Sequence, residues 1–411
     1  MLTMASSGFA FARIQQHLEV LTVATSTLAQ SSGGPLGALL GLVPGRADLL
    51  PASRLWSFLG YQFEHVPWVG CAFWDLIQPS FMFMVGVAIP FSMAARQARG
   101  DSFGKMLSHA IVRAIILVLL AVFLSSPEPT PRGMETPLGP TTNWIFVNVL
   151  AQIGLGYVFV FLLAGRGLWA QLGAIVVILA GYTALFAAVP VPPTDYDWKA
   201  VGVPADWQHL TGWFAHWDKN SNAAHFFDVW FLNLFPRLAP FAFNSGGYQT
   251  LNFVPSMATM ILGLIAGELL MGGRSAAMKF VILVLAGTAC LGLGLAMGEY
   301  VNPIVKRIWT PSWAVFSAGW TFLILAAFYG VIDVIGWKGW AFPLVVVGMN
   351  SIAMYLMSQQ MRPWVRRNLT IHIGRWWTLG DYGPVIESAA ILAGLWLICY
   401  WLYRQRIFVR I

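Results

Sequence analysis

The sequence predicts an all-α polytopic membrane protein of about ten transmembrane helices, the first one partial. Three observations carry that reading. Of 411 residues, 58% are hydrophobic and 10% charged, against about 25% charged in an average soluble chain. Nine stretches hold the roughly 20 apolar residues that cross the hydrocarbon core of a bilayer. Forty Gly, 20 Trp and 28 Phe match the small residues that let membrane helices touch and the aromatic rings of the interface. A soluble multidomain enzyme and a disordered chain are thereby excluded. The three cysteines, Cys71, Cys290 and Cys399, make neither a disulfide framework nor a metal-ligand spacing. The net charge of +7 is scattered between apolar segments, so the expected partner is the lipid bilayer and no nucleic acid.

The stretches are Phe73–Ala95, Met106–Ser125, Trp144–Ala164, Leu168–Val189, Phe253–Met271, Phe280–Met297, Trp313–Val334, Trp340–Met357 and Val385–Tyr403. All read as helices, because lipid offers the backbone no hydrogen-bond partner and no stretch alternates as a barrel strand does. Upstream, Met1–Arg13 reads as the end of a partial first helix. Val20–Val43 is interrupted by Gln30–Pro35. It has no basic segment leading into a clean apolar core, so a cleaved signal peptide is not expected, and it reads as loop or interfacial helix.

Orientation follows from the basic residues. The side with the shortest connections (around Arg96–Met106, Arg166, Gly272–Lys279, Trp337–Lys338 and the tail from Arg404) carries 11 of the 24 Lys and Arg against 3 of the 17 Asp and Glu. The other side carries 13 against 14 over much longer loops. The first side, with the C-terminus, is expected to be cytoplasmic. The chain then divides into 1–72 (partial first helix and periplasmic loop), 73–189 (helices 2–5), 190–252 (a large, Trp-rich periplasmic loop) and 253–411 (helices 6–10).

Where the chain first enters the bilayer, Glu64-His65-Val-Pro67-Trp68-Val-Gly70 precedes Phe73-Trp74-Asp75. Imidazole changes charge near neutral pH, so a positioned His65 can take a proton from an attacking amine or hydroxyl. Equally, it can be an interfacial histidine bonded to backbone. Asp75 can fix the His65 tautomer, as in catalytic triads, or cap the helix at its positive end. Deeper polar candidates are Asn148 and Gln152, Arg113, Glu268, Asp333, and Asn350-Ser351; amides at such depth also bond simply between helices. Arg113 can snorkel or, with Arg96, Arg99 and Lys105, hold an anionic, phosphate-bearing ligand. The largest loop sets Trp198, Trp207, Trp213, Trp217 and Trp230 among carboxylates, a composition suited either to sugars or to an interfacial aromatic belt. His209, His216 and His225 match no metal-ligand spacing, and no metal is expected.

These pieces together resemble the heparan-α-glucosaminide N-acetyltransferase family, transmembrane acetyltransferases with bacterial relatives. His65-Val-Pro67-Trp68-Val-Gly70 resembles its His-Ala-x-Trp-x-Gly stretch, and Asp75-Leu-Ile-Gln-Pro79-Ser-Phe-Met-Phe-Met-Val-Gly86 its Asp-Leu-[Val/Ile]-Phe-Pro-x-Phe-x-Phe-x-x-Gly helix. Asn302 to Trp309, within Val301–Ser312, is similar to its Asn-Lys-x-Leu-Trp motif, and Gly348-Met-Asn350-Ser351-Ile352 to a motif of the next helix. The resemblance runs from about Leu55 to the last helix. It implies acetyl transfer from cytosolic acetyl-CoA to an amino sugar across the membrane, with His65 as the catalytic histidine and Arg113 as a contact to CoA phosphate. The family's opening Leu-Asp-x-x-Arg-Gly helix is absent, Gln15–Pro51 has no counterpart, and its Val-Leu-Gln-Arg stands here as Val149-Leu150-Ala151-Gln152, without the Arg.

The resulting expectation is a multi-pass acyltransferase of the bacterial inner membrane. It would use acetyl-CoA as co-substrate and an amino sugar or glycan as acceptor, with a homodimer as its assembly. His65 and Asp75 are the expected catalytic pair, and Glu64 and Trp68 the acceptor contacts. Arg113, Arg96, Arg99, Lys105, Asn350 and Ser351 are the expected acetyl-CoA contacts, the last two lining the path of the thioester. The alternatives are a sugar or sugar-fragment transporter, for which no internal repeat is visible, and an inactive relative serving envelope assembly.

Overall fold

The computed structural model describes residues 58–126, 142–237, 239–379 and 382–409. The expected partial first helix and the Val20–Val43 segment lie outside them. Every one of the nine apolar stretches is helical. In chain order the helices are α1 (Ile77–Gln97, entered through a 3₁₀ turn, Phe73–Leu76), α2 (Phe103–Ser125), α3 (Val149–Leu163) and α4 (Leu168–Ala187). The short α5 (Ala223–Phe231) belongs to the long loop. Then come α6 (Phe253–Met271), α7 (Ala276–Tyr300), α8 (Pro311–Tyr329), α9 (Phe342–Met349), α10 (Ser351–Gln360), α11 (Arg362–Ile373) and α12 (Gly383–Arg404). Seven single helices among the described residues are long and apolar enough to cross a membrane, and α9 with α10 makes an eighth, bent by 73°. The chain is a multi-pass membrane protein.

Two of the nine differ from the expected straight span, each for a local reason. The α3 stretch starts late because Asn148 caps it, its side chain accepting the Ala151 N–H while its amide donates to the Ala121 carbonyl and Ser125 Oγ of α2. The α9–α10 span breaks at Asn350, which leaves helical geometry at φ −129, ψ 42.

The described residues fall into two compact units. One comprises Pro67–Cys71 and Leu76–Lys338, and α6 is its centre: two-thirds of that span is buried, and it packs on α1, α3, α4 and α8. Its near-uniform apolarity is what a helix surrounded by neighbours requires. The α1–α6 contact is backbone against backbone. A Cβ on Gly86 would lie 1.9 Å from the Met260 carbonyl oxygen, and one on Gly263 would lie 2.0 Å from that of Phe83. Only glycine permits such an approach, which gives the Gly of the Asp75–Gly86 motif a packing role.

The Val301–Ser312 motif is a buried loop tied by its own polar groups. Asn302 accepts the Ser312 N–H, Thr310 caps α8 at Trp313, and Ser312 donates to the Pro303 carbonyl. Against it lies the Pro67–Cys71 segment, with a bridge between Val69 and Val305 and a Gly70 N–H to Ile304 carbonyl bond of 2.9 Å. Trp68, Tyr182, Phe186, Trp217, Val305 and Ile308 form one core there. The other unit contains the described residues up to Val66, Ala72–Asp75, and Gly339 onward. In it α12 packs on α9, α10 and α11 over Val346, Met354, Ile391, Leu395 and Cys399.

Candidate active site

His65 and Asp75 meet. Nδ1 of His65 lies 2.8 Å from Oδ1 of Asp75. The carboxylate is fully buried, and its other oxygen accepts the backbone N–H of Ala72 at 3.0 Å and of Val66 at 3.3 Å. Asp75 sits in the first turn of the 3₁₀ helix and reaches back to the residue before it, the reach-back half of a capping box. The two readings of Asp75 are therefore both realised: one oxygen caps the turn, the other orients the imidazole. Phe63 packs on Phe73 and Trp74 at ring separations of 5.7 and 5.9 Å, stiffening the hairpin of chain that carries the pair. With Nδ1–H donating to Asp75, Nε2 holds the lone pair. The His65 side chain is 37% exposed, so a base at this position is reachable. Glu64 beside it is exposed. Trp68, in contrast, is buried, its indole donating to the Trp217 carbonyl at 3.0 Å.

Near the C-terminal end of α1, a cleft of about 100 Å3 is lined by Arg96, His109, Arg113 and Tyr157 among apolar residues. The Arg113 guanidinium lies 5.0 Å from the Tyr157 ring centre and bonds its hydroxyl at 3.4 Å. Its Nε is buried without a hydrogen-bond partner among the described residues, which leaves one of its donors unpaired. Arg96 joins Arg113 on this cleft, but Arg99 and Lys105 do not. Lys105 pairs with Asp101 at 2.5 Å, and Arg96 with the same carboxylate at 3.6 Å. Hydrogen bonding to Lys105 holds the Asp101 carboxyl below the usual carboxylate range.

Asn350 is fully buried, and both ends of its amide hold the C-terminal tail: Nδ2 donates to the Ile407 carbonyl and Oδ1 accepts the Val409 N–H. Ser351 opens α10 beside it. Gln152 donates to the Gln249 carbonyl, and Glu268 accepts from Gln171. Asn148, Gln152 and Glu268 thus bond between elements, as amides and carboxyls at depth do.

The 190–252 loop folds around polar residues, of which sequence reasoning missed Asn220, Asn222, Gln249 and Asn252. Asp218, Asn220, Asn222, His225, Asp228, Gln249 and Asn252 are all buried. The three histidines go separate ways: His209 bonds Asp218 at 2.7 Å, His216 the Val189 carbonyl, and His225 lies buried on α5. Burial pushes the Asp228 carboxyl up to about 7, although the Thr250 N–H on it and the charge of Arg237 pull the other way. Burial pushes His225 down to about 4, and it lowers Lys219, with Arg307 adding to the effect. The one available signal was the density of Asx residues between Asp218 and Asp228, because Asn and Asp close turns on themselves.

Fold and site together define a class: a multi-pass helical membrane protein with a histidine oriented by a buried carboxylate and, in its other unit, an arginine-lined cleft. No protein-family model matches the sequence. The chain is 25% identical to the mouse heparan-α-glucosaminide N-acetyltransferase and 26% identical to the human one, each over 398 residues. Those matches cover 85% of this chain, which spans little more than half the length of its relatives, 57% and 56%. They support membership of the heparan-α-glucosaminide N-acetyltransferase family.

Proposed function

We propose that this chain is a transmembrane acetyltransferase that moves an acetyl group from cytoplasmic acetyl-CoA to the amine of an amino sugar or glycan on the periplasmic side of a bacterial inner membrane. The observation that carries the reading is the 2.8 Å His65–Asp75 pair in a chain related to N-acetyltransferases. An ammonium cannot attack a thioester until it has lost a proton, and Nε2 of His65 is the group that takes it. The amine nitrogen then bonds the acetyl carbon, the carbon–sulfur bond breaks, and the CoA thiolate leaves to be protonated. Asp75 keeps the lone pair on Nε2 and balances the imidazolium that forms. Arg113 and Arg96 would hold the phosphate groups of the donor, by charge-assisted hydrogen bonds. The denser basic loops face the cytoplasm in this reading, which leaves the C-terminus inside and the long loop outside.

The test is transfer from labelled acetyl-CoA to glucosamine by protein reconstituted in vesicles. A general base contributes about 10²–10⁴-fold, so His65→Ala should lose that much. Equal rates for the variant and the wild type would end the proposal. The transporter reading finds one feature in its favour, the 73° break between α9 and α10. Broken helices in transporters leave polar groups open to substrate, whereas the Asn350 amide at this break is engaged by the chain's own tail. Glucosamine uptake without CoA release would favour it.

A further inference from the structure

Helix α11 and the turn after it carry chemistry that acetyl transfer does not use. On α11, Arg366 and Thr370 lie four residues apart on one face. With Arg375 and Thr378 of the next turn, Leu379, and Glu387 of the first turns of α12, they line a cavity of about 280 Å3. Three elements build this wall, and the last is brought close by Gly383, where a Cβ would meet the Thr378 carbonyl oxygen at 1.9 Å. Arg366 is paired with Glu387 at 2.5 Å. Arg375 has no ion pair among the described residues. The lining therefore carries two guanidiniums against one carboxylate, a surplus of one positive charge. Two threonine hydroxyls stand beside it.

The surroundings point to the source of the matching anion. Only one residue, Met361, separates the bent α9–α10 span from the pocket's helix, and α12, which closes the pocket, is itself a membrane span. The segment must therefore stay at the membrane surface. Its outward side chains suit that place: Trp364, Ile371, Trp376 and Leu379 are 56–74% exposed, far more than such residues tolerate in water as a group. Trp rings with apolar neighbours at a span end anchor in the headgroup region, and arginines among them meet phosphate. We infer that this pocket holds the phosphodiester headgroup of a membrane phospholipid, with Arg375 as its main cation. A phosphodiester carries one negative charge, which equals the surplus in the lining.

The test is native mass spectrometry of the full chain in detergent, titrated in parallel with dioleoylphosphatidylglycerol and with dioleoylglycerol, which lacks the phosphate. The expected result is one phospholipid retained at least tenfold more tightly than the diacylglycerol. Arg375→Gln should weaken it about tenfold, and Arg375→Lys should restore part of the loss. Equal retention of the two lipids would overturn the inference, as would an Arg375→Gln variant that keeps the phospholipid as tightly as the wild type. So would inorganic phosphate displacing the lipid at concentrations equal to it, because the site would then recognise free phosphate. Should Arg375→Gln fail to fold, Thr370→Val removes one donor and leaves the ion pair in place; undiminished lipid retention by that variant together with Arg375→Lys would overturn it too.

Discussion

Replacing Asp75 by asparagine separates the two tasks of that side chain. Among the described residues, the backbone bonds to the carboxylate from Ala72 and Val66 land on the same oxygen, Oδ2, and His65 takes the other. An asparagine can keep its amide oxygen on the two N–H groups, which preserves the turn. Its NH2 then faces Nδ1 of His65 at the former 2.8 Å contact. Two donors cannot share that position, so the imidazole moves its proton to Nε2 and loses the lone pair on the reacting side. The fold survives and the base does not. General-base assistance of about 10³-fold corresponds to about 4 kcal/mol of barrier, and kcat should fall by that factor with the KM values of both substrates unchanged. Asp75→Ala removes the acceptor as well and leaves two buried N–H groups unpaired, at about 1–3 kcal/mol each, so it should also melt earlier. The assay is initial-rate acetyl transfer in vesicles beside thermal melting in detergent. An Asp75→Asn enzyme with a third or more of wild-type kcat, and an Asp75→Ala protein as stable as wild type, would refute the reasoning.

Arg113→Gln should raise the KM for acetyl-CoA about tenfold and leave kcat at saturation nearly unchanged, since a phosphate contact remote from the reacting atoms adds uniform binding; steady-state kinetics in donor concentration check this. Gly263→Ala should force α1 and α6 apart and cost about 1–3 kcal/mol, read as a lower melting temperature. Gly292→Ala, where an added Cβ meets nothing within 4 Å, is the neutral control. Asp228 should make stability pH-dependent. Its carboxyl is held at about 7 in the fold against an ordinary 3.8, so its contribution is intact below the ordinary value and lost as pH rises through about 7, to a limit of about 4 kcal/mol. That decline should stand alone in His225→Gln, over about pH 4 to 7, and be absent from Asp228→Asn. His225 works in the other direction, being held at about 4 against 6.5. It favours the fold above 6.5 and loses that contribution as pH falls toward 4, so in the wild type the two effects largely offset one another between pH 4 and 6.5, and an acid-side decline should emerge in Asp228→Asn.

The nine helices were legible because their cause is local: an apolar run of sufficient length has one way to satisfy its backbone in lipid. The shortening of α3 and the break at Asn350 were not, although both arise at an asparagine visible in the sequence. Asn148 caps by reaching the Ala121 carbonyl and Ser125 on another helix, and Asn350 is set by a tail 57 and 59 residues away. An apolar count registers neither. Gly86 shows the converse. It could be seen as part of a motif, but its reason, the Met260 carbonyl oxygen that no Cβ could approach, lies 174 residues further on.

The same dependence on separation sorts the candidate site. His65 and Asp75 are ten residues apart, with a stiff Pro-Trp turn between them, so the chain could hardly avoid bringing them within reach and the pair could be suspected beforehand. In a chain this poor in charge, a buried carboxylate demands donors, and here the nearest imidazole and two nearby amides supply them. The loop cluster obeys the same demand through distant partners: Asp228 takes its backbone donor from Thr250, 22 residues on, and Gln152 finds the Gln249 carbonyl 97 residues on. Composition ranks which residues must find partners, but only the fold supplies them when they come from far along the chain. The Arg113 cleft lies between these cases. Arg96 and Arg113 fall on adjacent helices joined by a short turn, so their meeting was foreseeable, but Tyr157, whose ring and hydroxyl hold the guanidinium, comes from α3. That is why Arg96 could be paired with Arg113 from the sequence, while the place of Lys105, off the cleft and bonded to Asp101, had to be seen.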